Sequence, residues 1–326
     1  MRILAIDVGT GTQDILFYDS DGPIENSPKL VMPSPTATAA RHIREATARG
    51  AAVVLTGVNS GGGPSHWALN DHLRSGAPAY ATPQSASTFD DDLTRVEADG
   101  VVLVSEDEAA RLDGEHVRLR DVDIEAVRTA LAAFGADDPI DGLAIGVLDH
   151  GAAPPDVSDR LFRFQHMERV LSVDPDVRAF SWQPDDLPDY LTRARSALDS
   201  TPGDVPTVFM DNGPAAALGA LHDPAAGPGP QRRVLNVGNM HALGYILTDT
   251  RVDAVFEHHT GEITSERLAA MAAEIEQGDL THEDVFGSQG HGALYLSTPP
   301  FAPVVTLITG PRRAGILPRL PQAVAA

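Results

Sequence analysis

The sequence has 326 residues, of which 42% are hydrophobic, with a formal net charge of −22 and no cysteine. A chain of this length can bury a large core and is long enough for two lobes. Without cysteine it can form no disulfide, no thiolate nucleophile and no cysteine-ligated zinc or iron–sulfur site. Because phosphate backbones are bound through clustered lysine and arginine, the acidic charge also argues against a nucleic-acid partner.

Arginine supplies nearly all of the positive charge, since Lys29 is the only lysine. An acidic surface of this kind stays hydrated while salt screens the repulsion between its carboxylates, so we expect a halophilic protein. A GC-rich genome, which favours arginine codons, is the alternative explanation. The N-terminus enters a strand-like run directly, and no segment has the apolar length of a membrane span. These features predict a cytoplasmic protein without a membrane partner.

Strand and helix patterns alternate along the chain, which predicts an α/β fold. The predicted elements, in chain order, are a hairpin of strands 3–7 and 13–18, helix 36–49, strand 52–55, helix 64–73, strand 101–104, helix 124–134, strand 143–148, strand 207–210, helix 214–221, strands 233–237, 242–247 and 252–256, helix 265–275 and strand 303–308. Residues 158–198 are interpreted as a helical insertion, either solvated or forming a substrate wall. Residues 224–230 form a linker, so the predicted lobes are 1–222 and 231–326.

The first hairpin turn has the strongest chemical pattern. Gly9 and Gly11 allow backbone N–H groups to point inward as a nest for phosphate oxygens, and the hydroxyls of Thr10 and Thr12 add donors. Asp7, at the end of the preceding strand, can hold Mg²⁺ beside those phosphates. An ordinary hairpin turn with a capping aspartate is the alternative interpretation.

Three later segments have related features. Residues 236–241 repeat the order of strand, glycine turn and strand, with Gly238, Asn239 and His241 in the turn. Before them, residues 211–220 join a strand end to a helix of small residues. Near the end of the chain, Gly310 follows a buried strand in a turn that suits the approach of an adenine or sugar ring.

In this order, the four segments resemble the first phosphate loop, the connecting helix, the second phosphate loop and the adenosine loop of the superfamily that contains actin, sugar kinases and heat-shock chaperone ATPases. The resemblance implies two ribonuclease-H-like lobes, the actin-like ATPase fold, with ATP and Mg²⁺ in the cleft between them. The cofactor-binding residues that it implies are Gly9, Thr10, Gly11, Thr12, Gly238, Asn239, His241 and Gly310. The second loop of the superfamily usually has an aspartate and a threonine, where this chain has Asn236 and His241.

The chain also resembles, more closely, an uncharacterised family labelled "putative pyruvate formate-lyase activating enzyme". The segments that carry this resemblance are Gly9 to Leu16, Gly61 to Pro64, Asp149 to Gly151, Gly238 to His241, Phe256 to Gly261 and Gly290 to Ala293. A radical-SAM activase needs three cysteines for its iron–sulfur cluster, and this chain has none. We therefore do not expect that activity.

Asp149 is the candidate general base, because Asn236 cannot accept a proton at neutral pH. Asp149 follows the buried run 143–148, at the strand end where ligand clefts of open α/β sheets form. It would accept a proton from a substrate hydroxyl or a water. A turn-forming aspartate before His150 is the alternative.

Glycines and histidines are the candidate substrate contacts. Gly61, Gly62 and Gly63 follow a strand and open a helix, whose N–H groups could bind an anion; a flexible turn is the alternative. The substrate residues that we predict are Gly61, Gly62, Gly63, His150, His259 and His291.

Four histidines in the second half of the chain, His241, His258, His259 and His291, lie in or beside glycine-containing turns, and Glu257 is close in sequence. They could form a metal centre, although the close ligand spacing of many zinc sites is missing. Because neighbours on a strand point to opposite faces, only one of His258 and His259 should reach such a site. Histidines that cap turns are the alternative.

The sequence therefore predicts an ATP- and Mg²⁺-dependent phosphotransferase or ATPase that acts on an unidentified small molecule. Asp7 would position the metal, and Asp149 would activate the acceptor. A non-catalytic nucleotide or metabolite sensor is the first alternative, motivated by Asn236. A hydrolase with a His/Glu metal centre is the second, and a homodimer is compatible with each.

Overall fold

The computed structural model describes all 326 residues, Met1–Ala326, as a mixed α/β protein with three sheets. The β-strands, in chain order, are β1 (Arg2–Val8), β2 (Thr12–Asp19), β3 (Lys29–Pro33), β4 (Val53–Gly57), β5 (Ala79–Ala81), β6 (Val101–Leu103), β7 (Glu115–Leu119), β8 (Gly142–Val147), β9 (Ser181–Trp182), β10 (Thr207–Asp211), β11 (Gln231–Val237), β12 (His241–Thr248), β13 (Arg251–His259), β14 (Gly292–Tyr295), β15 (Val305–Thr309) and β16 (Val324–Ala325). The predicted α/β class is confirmed.

The α-helices alternate with these strands in the first half of the chain and are sparser in the second. They are α1 (Pro35–Arg49), α2 (Pro64–Arg74), α3 (Pro83–Ala86), α4 (Leu93–Ala98), α5 (Glu106–Ala109), α6 (Ile124–Ala132), α7 (Asp159–Val173), α8 (Thr192–Asp199), α9 (Asn212–His222), α10 (Ser265–Gln277) and α11 (His282–Phe286). None of them combines the length and the apolar character that a membrane span requires.

The chain forms two compact units. Unit 1 contains Met1–Pro155 and Gln183–Phe209, and unit 2 contains Asp156–Trp182 and Met210–Ala326. The predicted lobes, 1–222 and 231–326, divide the chain at different places, because contacts rather than chain order define a compact unit. Helix α7 in particular buries Phe162, Phe164 and Met167, so it is a core helix of unit 2 rather than a solvated insertion.

The larger sheet of unit 1 is built around β1. Strand β1 pairs antiparallel with β2, from Arg2 opposite Asp19 to Val8 opposite Gln13, and parallel with β8. Strand β2 pairs antiparallel with the edge strand β3. The order across unit 1 is therefore β3-β2-β1-β8-β10.

Unit 1 also contains a second, four-stranded sheet, which is inserted in the chain between β3 and β8. Its order is β6-β5-β4-β7, and its strand pairs are parallel. Helix α1 precedes it, capped at its start by the Ser34 side chain and ended by Gly50 in the left-handed conformation. The buried face of α1, with Ile43, packs in the same core as Val53 and Leu55 of β4.

Unit 2 has one sheet of six strands, in the order β14-β13-β12-β11-β15-β16. Strand β11 pairs antiparallel with β12 and parallel with β15. Unit 1 has the same arrangement: β1 pairs antiparallel with the next strand, across a glycine turn, and parallel with a later one. The two units thus repeat one strand plan.

Apolar side chains alternate between the two faces of the unit 2 sheet, as expected for strands that are covered on both sides. Tyr245 packs on one face with Phe164 of α7 and Ala217 of α9. Ile246 packs on the other face with Met271 of α10. Unit 2 therefore has three layers, with helices on both faces of the sheet.

Candidate functional site

The first glycine hairpin closes with a two-residue loop in unit 1. The Gly9 N–H donates to the Thr12 carbonyl at 2.9 Å, which leaves Thr10 and Gly11 as the loop residues. A Cβ on Gly9 would lie 3.1 Å from that carbonyl oxygen, so the tight closure favours glycine. The hairpin is a concave turn of the kind that can present N–H groups to an anion.

Helix α1 begins beside this loop. The Ser34 hydroxyl donates to the Thr10 carbonyl at 2.7 Å, and the Ser34 N–H donates to the Gly11 carbonyl at 3.1 Å. The same hydroxyl oxygen accepts the Ala37 N–H as the cap of α1. Because Ser34 donates hydrogen bonds to both loop carbonyls, the loop is held beside the N-terminus of α1. The positive end of the helix dipole lies there and favours anions nearby.

Asp7 lies on β1, two residues before Gly9, with an exposed side chain. Its partner across the hairpin is Asp14, and the Thr12 hydroxyl donates to Asp14 at 3.2 Å. Two like charges directly opposite each other on antiparallel strands repel. A hard cation with oxygen ligands, such as Mg²⁺, would relieve that repulsion, so the donor set fits the predicted metal.

The second glycine hairpin, in unit 2, repeats this geometry. The Gly238 N–H donates to the His241 carbonyl at 2.8 Å, which leaves Asn239 and Met240 as the loop residues. A Cβ on Gly238 would lie 2.8 Å from the same oxygen. Asn236 occupies the place that Asp7 has in the first hairpin, so this hairpin lacks the corresponding carboxylate.

Gly310 packs directly on the second hairpin. It has a φ of 93°, and a Cβ there would lie 2.5 Å from the Val237 carbonyl oxygen and 2.7 Å from Oδ1 of Asn236. The Arg312 N–H also donates to the Val237 carbonyl, at 3.0 Å. The predicted residues Gly238, Asn239, His241 and Gly310 are therefore close together in unit 2.

Local packing explains why each position of the turn 61–63 is a glycine. A Cβ on Gly61 would lie 2.7 Å from the Arg193 guanidinium, and one on Gly62 would lie 3.1 Å from a backbone carbonyl oxygen. Gly63 has a φ of 51° and approaches the Thr10 side chain of the first hairpin. The turn thus lies beside the first glycine hairpin, and local packing accounts for its three glycines without a substrate.

Asp149 is buried at the end of β8, with both carboxylate oxygens engaged by backbone N–H groups. One oxygen accepts from Gly151 at 2.8 Å and the other accepts from Ala194, in α8, at 2.9 Å. These bonds tie the strand end to α8, which favours the turn-forming role over that of a base. His150 follows it in unit 1 and is half-buried.

Arg193 forms hydrogen bonds in the same part of unit 1, near the end of β8. Its guanidinium forms a paired contact with the buried Asp121, at 2.8 and 3.0 Å, and donates to the Leu148 carbonyl at 2.6 Å. Asp121 in turn accepts the Gly61 N–H at 3.0 Å. The turn 61–63 and the end of β8 are therefore held by one charge-assisted network.

Three histidines of unit 2 converge on one point. The ring centroids of His241, His259 and His291 are 5.1, 5.0 and 4.6 Å apart, pair by pair. One nitrogen of each ring lies within 4.8 Å of those of the other two. His241 begins β12, directly opposite His259 at the end of β13, and His291 immediately precedes β14. Adjacent strands therefore bring together residues that are distant in sequence. We call this group the histidine cluster.

His258 does not join the histidine cluster. Its Nε2 hydrogen-bonds the Ser288 hydroxyl at 3.2 Å, on the other side of β13. This placement confirms that only one of the two adjacent histidines reaches the site, as strand geometry requires.

A buried ion network lies next to the histidine cluster. Arg163 of α7 is fully buried and donates to both oxygens of Asp211 and, at 3.2 Å, to Glu257. The other oxygen of Glu257 accepts a hydrogen bond from Nδ1 of His241 at 2.9 Å. Burial alone would raise the pKa of Glu257, but the charge of Arg163 and the hydrogen bond from His241 lower it well below the usual range. Glu257 is therefore an ionised neighbour of the cluster.

The electrostatic environment keeps two rings of the cluster neutral. Burial lowers the pKa of His291 to about 3, although the negative charge of Glu257 opposes that shift. Burial, and then the charge of His241, also lower the pKa of His259. At neutral pH these imidazoles therefore keep a lone pair that can bind a metal ion.

The sequence analysis placed Arg163 and Arg193 in a segment that was either solvated or a substrate wall, and Asp211 at a strand end, but it did not predict their buried ion pairs. One signal was present: Arg163 lies between Phe162 and Phe164 in a helix whose other buried positions are largely apolar. A charged residue at a core position needs a buried partner, which the sequence does not identify.

Comparisons with known proteins identify a family. The model of the family described as "Putative pyruvate format-lyase activating enzyme (DUF1786)" matches residues 60–315. The closer of the two sequence resemblances is thereby confirmed. No curated protein matches the chain.

Solved structures with some similarity include the crystal structure of an exopolyphosphatase-like protein, with 10% sequence identity and a TM-score of 0.30. The similarity covers 94% of this chain and 65% of that chain. A likeness this distant carries no argument about activity.

Proposed function

This chain belongs to the family described as "Putative pyruvate format-lyase activating enzyme", and we propose that it binds ATP and Mg²⁺ as an actin-like phosphotransferase or ATPase acting on a small molecule. We do not propose the activity in the family's description, because the chain has no cysteine to hold the iron–sulfur cluster of such an activase. In this proposal the glycine hairpins present backbone N–H groups to the phosphates of the nucleotide.

The observation that carries the proposal is the repeated hairpin. Each unit has a central strand that turns through a two-residue loop behind a glycine, whose N–H donates three residues ahead. In each case a Cβ on that glycine would lie within 3.1 Å of the opposite carbonyl oxygen. Each loop has the same place in a repeated strand plan, and each is a turn of the kind that can present N–H groups to phosphate oxygens.

The residues present fit the nucleotide and its metal in chemical type. Asp7, with Asp14 opposite, offers carboxylate oxygens to Mg²⁺, and Gly310 allows the turn after β15 to pack directly against the second hairpin. Bound Mg²⁺ would neutralise phosphate charge, while the hairpin residues position the phosphates. Because backbone bonds engage Asp149, we assign no base with the same support.

Isothermal titration with Mg-ATP tests the proposal. We expect Asp7→Ala to weaken binding at least about tenfold, equivalent to about 1.4 kcal/mol, because a carboxylate ligand of the metal is lost. Asp21→Ala, a change at another exposed aspartate of the same unit, is the matched control and should bind like the wild type. In EDTA the wild type should weaken to the level of Asp7→Ala.

A second pair of variants tests the contribution of the glycine loop separately from that of the metal ligand. Gly9→Ala should weaken Mg-ATP binding, whereas Gly22→Ala, where a Cβ meets nothing within 4 Å, should not. No binding by the wild type, or equal binding by Asp7→Ala and the wild type, would reject the proposal.

A sensor without turnover is the second candidate, because Asn236 stands where a carboxylate would be expected in the second hairpin. An amide cannot act as a general base. Mg-ATP binding without phosphate release or transfer would favour the sensor, and release that is lost in Asp7→Ala would favour the ATPase.

A further inference from the structure

We propose that the histidine cluster, His241, His259 and His291, is a binding site for a divalent transition-metal ion of the zinc class. These three histidines all lie in unit 2, and the inference does not rest on the nucleotide proposal.

The first argument is convergence. One nitrogen from each ring lies within 4.8 Å of the other two. Zinc binds imidazole nitrogens at about 2.0–2.1 Å, which places the nitrogens of a tetrahedral site roughly 3.4 Å apart. Small side-chain movements therefore suffice to close three ligands on one ion.

The second argument is the orientation of the rings. A carboxylate or carbonyl oxygen only accepts, so Nδ1 of His241 donates to Glu257 at 2.9 Å and Nδ1 of His259 donates to the Gln289 carbonyl at 3.1 Å. With the proton on Nδ1, Nε2 of each ring carries the lone pair. Metal-binding histidines are commonly oriented by such a carboxylate or carbonyl partner. A histidine that only caps a turn would also hydrogen-bond a carbonyl. That role does not explain why the rings of two other histidines lie beside it.

The third argument is the scaffold. His241 and His259 are cross-strand neighbours, and the His291 N–H donates to the Glu257 carbonyl at 2.8 Å. A Cβ on Gly290 or Gly292 would meet atoms within 2.7 Å, so the chain on each side of His291 is closely packed. Two of the ligands thus lie on paired strands and the third lies directly before the next paired strand, so the scaffold holds their spacing without the ion.

The donor set indicates the class of ion. Three imidazole ligands suit Zn²⁺ and similar first-row ions, whereas Mg²⁺ and Ca²⁺ prefer oxygen ligands.

Zinc titration of tag-free, metal-stripped protein, in the absence of nucleotide, tests the site. We expect one equivalent of Zn²⁺ per chain and, with Co²⁺ in its place, the visible absorption of a four-coordinate ion. His259→Ala and His291→Ala should each weaken Zn²⁺ binding at least about a hundredfold, since each removes a ligand. His116→Ala, a change at an exposed histidine of unit 1, should leave the affinity unchanged.

Circular dichroism and the melting temperature show whether each variant folds. His291 is fully buried, whereas His259 is half-buried, so the His259→Ala variant decides the test if His291→Ala is unfolded. Absence of stoichiometric Zn²⁺ binding by the wild type would overturn the proposal, as would wild-type affinity in folded His259→Ala. Because no nucleotide is present, neither result bears on the Mg-ATP proposal.

Discussion

Arg163 has the largest of the fully buried side chains, and it is charged. Burial disfavours its cation, but Asp211 and Glu257 hold the pKa of Arg163 above its ordinary value. A buried ion pair is weak support for stability in itself, because desolvation offsets the attraction. Removing one partner is costly, since it leaves the other charges buried without a counter-ion.

Arg163→Met should therefore lower the free energy of unfolding of unit 2 by roughly 3–5 kcal/mol. The only tryptophans are Trp67, in unit 1, and Trp182, in unit 2. In a Trp67→Phe background, the fluorescence of Trp182 in urea then follows unit 2 alone. Arg319→Met, which breaks the exposed pair with Glu266 in unit 2, is the control and should cost less than about 1 kcal/mol. Equal urea midpoints for Arg163→Met and Arg319→Met would contradict this interpretation.

At the scale of elements, Asp176 joins a short helical turn to the start of β13. It caps the 3₁₀ helix Val177–Phe180 by accepting from the Arg178 N–H, and it accepts from the Thr250 hydroxyl at 2.7 Å. The side-chain hydrogen bond from Arg178 is the main cause that lowers the pKa of Asp176 from 3.8 to about 2, against the opposing effect of burial.

The lowered pKa makes the contribution of Asp176 depend on pH. A carboxylate with a depressed folded pKa stabilises the protein above its unfolded pKa of 3.8, and this stabilisation is lost as pH falls toward about 2. Asp176→Asn should thus lower the free energy of unfolding by about 1 kcal/mol at pH 7, and the difference should shrink below about pH 4. Urea unfolding between pH 7 and pH 2.5 measures it.

Asp185→Asn, a change at an exposed aspartate, controls for the loss of one charge. A difference between Asp176→Asn and the wild type that stays constant down to pH 2.5 would count against the assigned hydrogen bonds.

The strands and helices show how far local pattern reaches. Both glycine hairpins and the long helices α1 and α10 lie within a few residues of their predicted bounds, because period and turn residues are local signals. Strands β3, β5, β7 and β14 were not predicted. They are three to five residues long, and β7 has charged residues among its exposed positions, so the alternation is too short to detect. Pairing with neighbouring strands stabilises them.

At the scale of the whole molecule, the net charge of −22 creates mutual repulsion that the folded state must tolerate. Raising the salt concentration shortens the Debye length from about 10 Å at 0.1 M to about 3 Å at 1 M, so repulsion between surface carboxylates falls. The melting temperature should therefore rise between 0.1 and 1 M KCl by roughly 3 °C or more, equivalent to about 1 kcal/mol.

Calorimetry in KCl checks this prediction, with a protein of similar size and near-zero net charge as the control. An unchanged or lower melting temperature in 1 M KCl would argue against adaptation to salt and in favour of codon usage as the origin of the composition.

The amino-acid sequence by itself determined the α/β class, the two glycine hairpins and the absence of thiolate chemistry, because composition, periodicity and turn residues act over a few neighbouring positions. It also placed each candidate residue on a strand end or turn. Only the tertiary structure decided that Arg163 meets Glu257, 94 residues away, and that His241, His259 and His291 form one cluster. Contacts over such separations depend on strand register and helix packing, which no local pattern encodes.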